Sequence, residues 1–446
     1  MKKNNIFEQV LNVSIPVISE MTLYTFMSVF DLMMIGNYGG NKALSAVGLS
    51  NSVIYTSCNI FVSVGFSVSV TSLVARSVGS RDYNKAEQYA TCGFFLSDLV
   101  ALIICLIMFK FARTILYTAG ARKEILQVGI KFIKITCIAV FFKMNTEIIN
   151  SVLRGYGNTK TPFIISIVIS SLKIALDFML IFGYGFKEYG IIGAAIASVL
   201  SQSIGFLGAF SYIILKSKIR FRIKHMILFN INRAKEILAL FVPAAIEEGL
   251  YSVSKLVTGF MIMTGGSIAF ASDEIANTVE SIALVPSMAF GVATTAIVGM
   301  RFGERNYKKA RNSVKACNLC ALAISLIFSI IFIFMPNVLV SLFVNKGEKQ
   351  VVFISGLCLA IAAIEQPFIA ISTIYEAGLD GMGDTKSPCF VTLISSWFIR
   401  VPLIYYFICK LKYPVTYVWW ITAFQWIIDC ILIYLVFKNR FRKLSS

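Results

Sequence analysis

Long apolar segments recur along almost the whole chain and are separated by short polar connections. An apolar run of about 18 or more residues is long enough to cross a bilayer as an α-helix. Twelve segments reach this length, so the pattern predicts an all-α, polytopic membrane protein with twelve transmembrane helices. The predicted spans are Val10–Ile35, Val47–Ala75, Tyr89–Ala112, Ile125–Leu153, Phe163–Tyr184, Gly190–Leu215, Ile237–Thr264, Ile275–Met300, Ser313–Phe343, Val351–Tyr375, Phe390–Cys409 and Val415–Phe437.

The composition agrees with this assignment. Of the 446 residues, 57% are apolar and 14% are charged, whereas soluble domains average about 45–50% and about 25%. The mean hydropathy is +0.77. These values exclude a disordered chain, a coiled coil, a disulfide-rich secreted domain and almost every water-soluble enzyme.

Basic residues outnumber acidic ones, 41 to 23, which gives a formal net charge of +18. In a soluble protein this excess would indicate nucleic-acid binding, but the cytoplasmic loops of membrane proteins also collect Lys and Arg. Both termini and the connections after spans 2, 4, 6, 8 and 10 carry most of these residues. We therefore expect both termini in the cytoplasm and no nucleic-acid partner.

The residues that most often bind metals are scarce or badly placed. Ten cysteines lie in or beside apolar segments, and His225 is the only histidine. A single histidine leaves no His-based metal site and no histidine relay. We expect no metal and no cofactor.

Two loop motifs occur twice in the chain. VGSRDYNKAE after span 2 returns as FGERNYKKAR after span 8, and GYGNTKTP after span 4 returns as GMGDTKSP after span 10. The same length of chain, to within a few residues, separates the two members of each pair. In the second motif Thr161 and Ser387, each followed by proline, are predicted to cap the next helix.

The repeat predicts two homologous six-helix lobes. Because six is an even number, both lobes have the same orientation, as in a parallel repeat with a pseudo-twofold axis along the membrane normal. The N-lobe is expected at residues 1–215 and the C-lobe at residues 237–446. A basic cytoplasmic linker, residues 216–236, joins them.

Charged residues inside the first-half spans are the first candidates for function, since a charge at the bilayer centre costs about 2.5–3.5 kcal/mol. Lys173 and Asp177 lie four residues apart in span 5, on one face of the helix. Asp31 lies in span 1, and the three side chains can form one polar cluster. The alternative is a salt bridge that only joins helices. Tyr24 and Met27, also in span 1, suit either packing or adaptable recognition of ligands.

The second half carries its own intramembrane charges. In span 7, Glu248 and Lys255 are seven residues apart and share a face, whereas Glu247 points elsewhere. Glu280 lies inside span 8, and Asp273 and Glu274 lie at its start. These residues predict a second cluster, with an ion pair that joins helices as the alternative. Lys143 and Glu147 are expected to neutralise each other. Asp98, Glu365, Glu376, Arg400 and Asp429 are expected to hold helices together.

Taken together, these motifs resemble the multidrug and toxic compound extrusion (MATE) family of secondary transporters. The resemblance covers nearly the whole chain. It includes PVISEMTLYTFMSVFDLMMIG in span 1, the two repeated loop pairs, and GIIGAAIAS at the start of span 6. It implies twelve helices in two lobes around a central cleft. It also implies export of cationic amphipathic compounds in exchange for H⁺ or Na⁺.

The resemblance assigns roles to particular positions. Asp31 and Asp177 match acidic ion-coupling positions, and Asn150 and Ser198 match polar positions of the same lobe. Lys173 stands where many bacterial relatives have asparagine, and Asp380 stands where an arginine like Arg154 is expected. The ammonium of Lys173 favours an ionised Asp177, which argues against simple proton coupling. The residues predicted to bind substrate are Tyr24, Met27, Glu247, Glu248, Lys255 and Glu280.

These observations predict a secondary active efflux transporter that works by alternating access. We expect a monomer in the bacterial plasma membrane that exports small organic cations. The main alternative is a flippase for lipid-linked oligosaccharides, which needs cationic groups for pyrophosphate; Lys143, Lys173, Lys255 and Arg400 are of that type. A membrane enzyme is disfavoured, because neither a histidine relay nor a nucleotide-binding motif is present.

Overall fold

The computed structural model describes residues 6–58, 65–118, 123–185, 187–222, 230–343 and 348–445. These residues are almost entirely helical and include no strand, so the all-α prediction is confirmed. We number the helices α1 Ile6–Cys58, α2 Ser67–Gly79, α3 Tyr83–Thr118, α4 Lys123–Gly155, α5 Lys160–Phe182, α6 Ile191–Leu215, α7 Ile231–Met263, α8 Ser267–Gly303, α9 Tyr307–Phe334, α10 Pro336–Ser341, α11 Lys349–Met382, α12 Lys386–Lys410 and α13 Thr416–Ser445. Helix α12 contains two π-helical stretches, Leu393–Arg400 and Tyr405–Lys410.

Eleven helical segments of the described chain are long and apolar enough to cross a membrane. The polytopic membrane class is therefore confirmed, although twelve spans were predicted. The predicted second span, Val47–Ala75, is not among the eleven. Its residues 59–64 lie outside the described part of the chain, and the remainder is divided between the end of α1 and α2.

Helix α1 differs from the prediction because it runs without a break through 53 residues. The sequence predicts a loop between Ile35 and Val47, where glycine and asparagine are frequent. Each glycine lowers helix stability by about 1 kcal/mol relative to alanine, but it keeps its backbone N–H. No proline occurs between Val17 and Cys58, so no residue in this segment removes a helical hydrogen bond.

The chain forms two compact units. One consists of Ile15–Phe241 and the other of Met1–Ser14 with Val242–Ser446; we call them the first and second units. In the first unit, α4 packs against α2, α3 and α6, and α5 packs against α6. In the second unit, α11 packs against α8, α9 and α13. The helices of each unit thus bring together side chains that are far apart in sequence.

The repeated loops have the same local structure in both units. Arg81 and Arg305 adopt left-handed backbone conformations, with φ of 62° and 56°. In the other loop pair, Asn158 accepts a hydrogen bond from the backbone N–H of Thr161 at 3.1 Å. Asp384 accepts the equivalent bond from Ser387 at 3.2 Å. The capping side chains are therefore Asn158 and Asp384, and the prediction of Thr161 and Ser387 as caps was wrong.

Candidate functional site

Asp31, Lys173 and Asp177 form one ion-paired cluster in the first unit. Helix α5 carries Lys173 and Asp177 one turn apart, and α1 brings Asp31 to the same ammonium group. The Lys173 Nζ lies 3.1 Å from Asp31 Oδ1 and 2.7 Å from Asp177 Oδ2. Lys173 and Asp177 are buried, with 4% and 1% of their surface exposed. The structure thus brings together the three side chains that the sequence placed in one cluster.

One ammonium between two carboxylates gives this cluster one surplus negative charge when all three groups are ionised. The second oxygen of Asp177, Oδ1, is buried and has no hydrogen-bond partner in the described structure. Burying a hydrogen-bond acceptor without a partner costs free energy of folding, and burying an unpaired charge costs more. The cluster is therefore suited to accept a proton or to exchange the Lys173 ammonium for another cation.

A second buried network in the same unit centres on Arg154. Its guanidinium donates to Glu20 Oε1 at 2.8 Å and to Glu147 Oε1 at 2.7 Å. The predicted neutralisation of Glu147 by Lys143 was wrong, because Arg154 is the ion-pair partner of Glu147 and Lys143 is exposed. Asn150 also joins this network, with its Nδ2 3.4 Å from Glu20 Oε1.

Asn150 and Ser198 make no hydrogen bond to the Lys173 cluster within the described residues. The contact of Asn150 is with Glu20, and the Ser198 hydroxyl donates to the carbonyl of Ala194 in its own helix at 2.9 Å. Any role of these two side chains in ion coupling is therefore indirect in this structure. Glu20 was not predicted as a site residue at all.

Two predicted site residues on α1 remain, Tyr24 and Met27. Tyr24 is partly buried and within electrostatic range of Glu20, Glu147 and Arg154. Met27 is also partly buried. Tyr24 therefore belongs with the Arg154 network.

In the second unit, Glu280 and Glu365 form a pair of carboxyl groups between α8 and α11. The two carboxyl groups lie within electrostatic range of each other, and Gln366 Nε2 donates to Glu280 Oε1 at 2.9 Å. Both oxygens of Glu365 are buried and have no hydrogen-bond partner in the described structure. Two buried carboxylates that lie close together repel each other, so ionisation of both is unfavourable. Glu365, which the sequence placed among helix-joining charges, thus shares the site of Glu280.

Two basic side chains, Arg400 and Lys255, lie within electrostatic range of Glu280 and Glu365. Arg400 is 5% exposed, and its Nε and Nη1 have no hydrogen-bond partner in the described structure. Lys255 is exposed on α7 and lies within electrostatic range of Glu280, Arg400 and Asp273. Asp273 itself accepts bonds from Trp419 at 3.0 Å and from Asn277 at 2.9 Å. The second cluster therefore contains both signs of charge.

Glu274 lies within electrostatic range of Asp273, and Glu248 lies within electrostatic range of Glu376. Glu248 is partly buried and accepts a hydrogen bond from Ser252 at 3.3 Å. That bond stays within α7, one turn along the helix. Glu274 is exposed.

A third acidic site lies near the end of α11 and includes Glu247. Its Oε1 accepts a hydrogen bond from the Thr392 hydroxyl at 3.1 Å. The carboxyl groups of Glu376 and Asp380 lie within electrostatic range of Glu247. Glu376, which was predicted to hold helices together, thus lies near Glu247 of α7. Asp429 does link helices, since it accepts from Ser395 at 2.8 Å and from Ser372.

Comparisons with known proteins add to this geometry. The MatE family model matches residues 16–179 and 243–406, which together cover most of the chain. The chain is 28% identical over 398 residues to the probable multidrug resistance protein NorM of Thermotoga maritima, covering 89% of this chain and 84% of that protein. It is 26% identical over 418 residues to the probable multidrug resistance protein NorM of Bacillus cereus, covering 91% of this chain and 90% of that protein.

Solved structures show the same fold. A multidrug resistance MATE family transporter of the MOP superfamily, described in an outward-facing conformation, has a TM-score of 0.93 and 20% identity. That match covers 99% of this chain and 97% of the other. A MOP superfamily transporter from Pyrococcus furiosus, described as having a binding pocket of reverse polarity, has a TM-score of 0.92 and 21% identity, with 100% and 98% covered. At these identities the structural matches establish the fold alone.

Proposed function

We propose that this chain, which belongs to the multidrug and toxic compound extrusion (MATE) family of multidrug efflux transporters, exports cationic amphipathic compounds in exchange for H⁺ or Na⁺ by alternating access. The observation that carries this proposal is the buried Asp31–Lys173–Asp177 cluster. Carboxylates kept inside membrane spans are costly and mark pathways for ions and charged substrates.

The Lys173 ammonium changes how such a cluster can work. An incoming cation must compete with a positive charge that is already bound to both carboxylates. A proton that adds to Asp31 or Asp177 removes one ionic contact of Lys173 and changes the charge of the cluster by one unit. One charge moved through 100 mV supplies about 2.3 kcal/mol, which is enough to drive roughly a fiftyfold gradient.

The remaining parts of the proposal concern location and partners. The proposed location is the bacterial plasma membrane, and the proposed oligomeric state is a monomer. Both termini are proposed to lie in the cytoplasm, because the basic residues collect in the even-numbered connections. Small organic cations are the proposed substrates, and no cofactor takes part.

The test is transport of ethidium by purified protein in liposomes, with either a pH gradient or a Na⁺ gradient imposed. We expect accumulation that depends on one gradient and collapses when that gradient is dissipated. Asp31→Asn should lose most of the coupled transport, and Lys173→Asn should change its dependence on pH or Na⁺. Lys143→Gln, at an exposed position on α4, is the matched control and should transport normally. Full coupled transport by Asp31→Asn would exclude Asp31 as the coupling group.

The flippase alternative is less well supported. It needs basic side chains that are available to pyrophosphate, but Lys173 is bound to two carboxylates and Arg400 lies beside the Glu280–Glu365 pair. Failure to complement a strain that lacks its oligosaccharide flippase, together with ethidium efflux, would separate the two functions.

A further inference from the structure

Four basic side chains lie close together where α3 ends and α4 begins, and we call them the basic cluster. Lys110 and Arg113 are one turn apart on α3, and Lys131 and Lys134 are one turn apart on α4. All four side chains are exposed. Within the described residues none of the four forms an ion pair. The export mechanism proposed above uses none of them.

Contacts between α3 and α4 fix how the two helices are aligned. The thiol of Cys105 on α3 donates to the carbonyl oxygen of Cys137 on α4 at 3.3 Å. Further along α3, Leu116 packs against α4 at Gly129, where an added Cβ would lie 2.9 Å from Leu116 Cδ1. Later residues of α3 thus contact earlier residues of α4, so the two helices run antiparallel in a fixed register.

This register brings the basic cluster to one height on the helix pair. Lys134 reaches across from α4, and its Nζ lies 5.2 Å from the centre of the Phe109 ring on α3. Lys110 follows Phe109 directly, and Arg113 lies one turn further along α3. Because the helices are antiparallel, Lys131, one turn before Lys134, lies level with Arg113. The four cations therefore occupy little more than one helical turn of height.

The position along α3 places the basic cluster in a headgroup layer. Glu87, near the start of α3, and Lys110 are about 35 Å apart along the helix axis, and the hydrocarbon core is roughly 30 Å thick. Asp98 is the only charged residue between them. Beside the cluster, Phe109 and Phe111 are 50% and 46% exposed. The cluster thus combines cations with exposed apolar rings, the combination that favours binding to anionic lipids.

The charge distribution that orients membrane proteins does not account for this cluster. The basic loop around Arg81 comes directly before α3 and is expected in the cytoplasm, and α3 is a candidate span. The basic cluster therefore lies on the opposite side, where Lys and Arg are usually scarce. At the spacing of the repeated loop motifs, the corresponding positions of the second half carry no charge: Phe334, Asn337, Leu357 and Ala360. The shared fold therefore does not require these charges.

We propose that the basic cluster is a binding site for the phosphate headgroups of anionic phospholipids in the outer leaflet, with their acyl chains against Phe109 and Phe111. Lys and Arg both bind phosphate through charge-assisted hydrogen bonds, and each basic side chain near an anionic membrane surface adds to the attraction. This inference goes beyond the proposed export function, because it is independent of the substrate and of the coupling ion.

The experiment measures lipid selectivity through quenching of a tryptophan placed beside the cluster. Phe111→Trp puts this probe at an exposed ring, whose centre lies 5.6 Å from Lys110 Nζ. The full-length protein is reconstituted into phosphatidylcholine vesicles that contain a minority of phosphatidylglycerol, and only one of the two lipids carries brominated acyl chains. The emission of the parent protein, with its four native tryptophans, is subtracted. Exchanging the brominated lipid then gives the relative association of the two lipids at the probe.

We expect phosphatidylglycerol to associate with the Phe111→Trp site about fivefold or more strongly than phosphatidylcholine, which is the effect of a single Lys or Arg near an anionic surface. High NaCl should weaken this preference by screening. In the same background, Lys110→Gln/Arg113→Gln/Lys131→Gln/Lys134→Gln should abolish the preference. The milder Lys110→Gln/Lys134→Gln should show an intermediate preference. Both sets change only exposed side chains.

The second half supplies the matched control. Phe334→Trp places the probe at the repeat position of Lys110, where the native ring is 79% exposed. No member of the basic cluster has a counterpart there. We therefore expect this probe to report nearly equal association of the two lipids.

Three results would overturn the proposal. They are equal association of the two lipids at Phe111→Trp, a full preference in the quadruple glutamine variant, and the same preference at Phe334→Trp. Replacing chloride with inorganic phosphate at constant ionic strength should leave the preference intact. Its loss would mean that the cluster takes a soluble anion rather than a lipid, which also overturns the proposal. The measurement needs no gradient, so failure to export ethidium would contradict only the proposed function.

Discussion

Arg154 binds two carboxylates whose main difference is their burial. The side chain of Glu20 is 1% exposed, whereas that of Glu147 is 25% exposed. A buried charge left without its partner costs about 3–5 kcal/mol, whereas exposed ion pairs contribute about 0–1 kcal/mol. Water can solvate the end of Glu147 but not that of Glu20. The two contacts of one guanidinium therefore differ in what they contribute to stability.

We predict that Arg154→Gln destabilises the protein mainly through Glu20. Arg154→Gln should lower the unfolding midpoint strongly, by an amount equivalent to about 3 kcal/mol or more. Adding Glu20→Gln to that variant should restore much of the loss, because the uncompensated carboxylate is then removed. Adding Glu147→Gln should restore little. Thermal unfolding of the four purified proteins in detergent measures both effects, and equal recovery by the two second substitutions would contradict the prediction.

Spacing along one helix predicted the Lys173–Asp177 ion pair, but the same spacing gave the wrong partner for Glu147, which pairs with Arg154. Lys173 and Asp177 are one turn apart, so their contact follows from helix geometry. The Glu20–Arg154 contact joins residues 134 positions apart, and no local pattern gives that distance. The signal that was available is the shared spacing from Pro16 to Glu20 and from Pro243 to Glu247, which requires alignment of the two halves.

Within single elements, α6 packs closely against α5 at Gly193. A Cβ atom on Gly193 would lie 2.5 Å from the backbone carbonyl oxygen of Leu180. A side chain can relieve a clash by rotating to another rotamer, but the backbone of a helix cannot. On the same helix a Cβ atom on Gly208 would meet nothing within 4 Å. Close packing therefore explains the glycine at position 193 but not the glycine at position 208.

We predict opposite effects for the two alanine substitutions in α6. Gly193→Ala should destabilise the protein by about 1–3 kcal/mol, because it forces α5 and α6 apart. Gly208→Ala should be neutral or stabilising by up to about 1 kcal/mol, because alanine favours the helix and finds free space. Unfolding midpoints of the two variants test this, and a similar loss in both would show that close packing of α6 on α5 is not the cause.

The boundaries of elements were harder to predict than their existence. Thr161 and Ser387 precede proline and fit the pattern of a helix cap, yet Asn158 and Asp384 provide the capping oxygens. Asparagine and aspartate compete well with threonine and serine for this role, and the sequence pattern does not decide which polar residue points at the free N–H groups.

At the scale of the whole molecule, the two units share a fold pattern but differ in how their buried acids are compensated. The first unit pairs Asp31 and Asp177 with Lys173, and Glu20 and Glu147 with Arg154. In the second unit, Glu280 lies within electrostatic range of Glu365, Lys255 and Arg400, and Glu247 lies within range of the acids Glu376 and Asp380. The sequence reveals the repeat through its loops, but only contacts between helices show which charges compensate one another.

The repeat also constrains how often the chain crosses the membrane. The loops around Arg81 and Arg305 have similar sequences and the same left-handed conformation, and both are basic, so they should lie on the cytoplasmic side. Six candidate spans, α3 to α8, separate the two loops. An even number of crossings returns the chain to the same side of the membrane, which agrees with a cytoplasmic position for both loops. If the N-terminus is also cytoplasmic, the segment from Ile6 to Gly79 must cross the membrane an even number of times, although only Ile6–Gly39 is a candidate span within its described residues.

We therefore predict two crossings before Arg81 and twelve in total. Helix α1 alone, at 53 residues, is about 80 Å long, more than twice the roughly 30 Å thickness of the hydrocarbon core. A fluorescent reporter fused after Arg81 or at the C-terminus should be fluorescent, since it folds only in the cytoplasm, and alkaline phosphatase at the same points should be inactive. Fusions after Tyr184 should give the reverse result and serve as the control. Active phosphatase at both Arg81 and the C-terminus would mean eleven crossings and an extracytoplasmic basic loop, against the charge distribution.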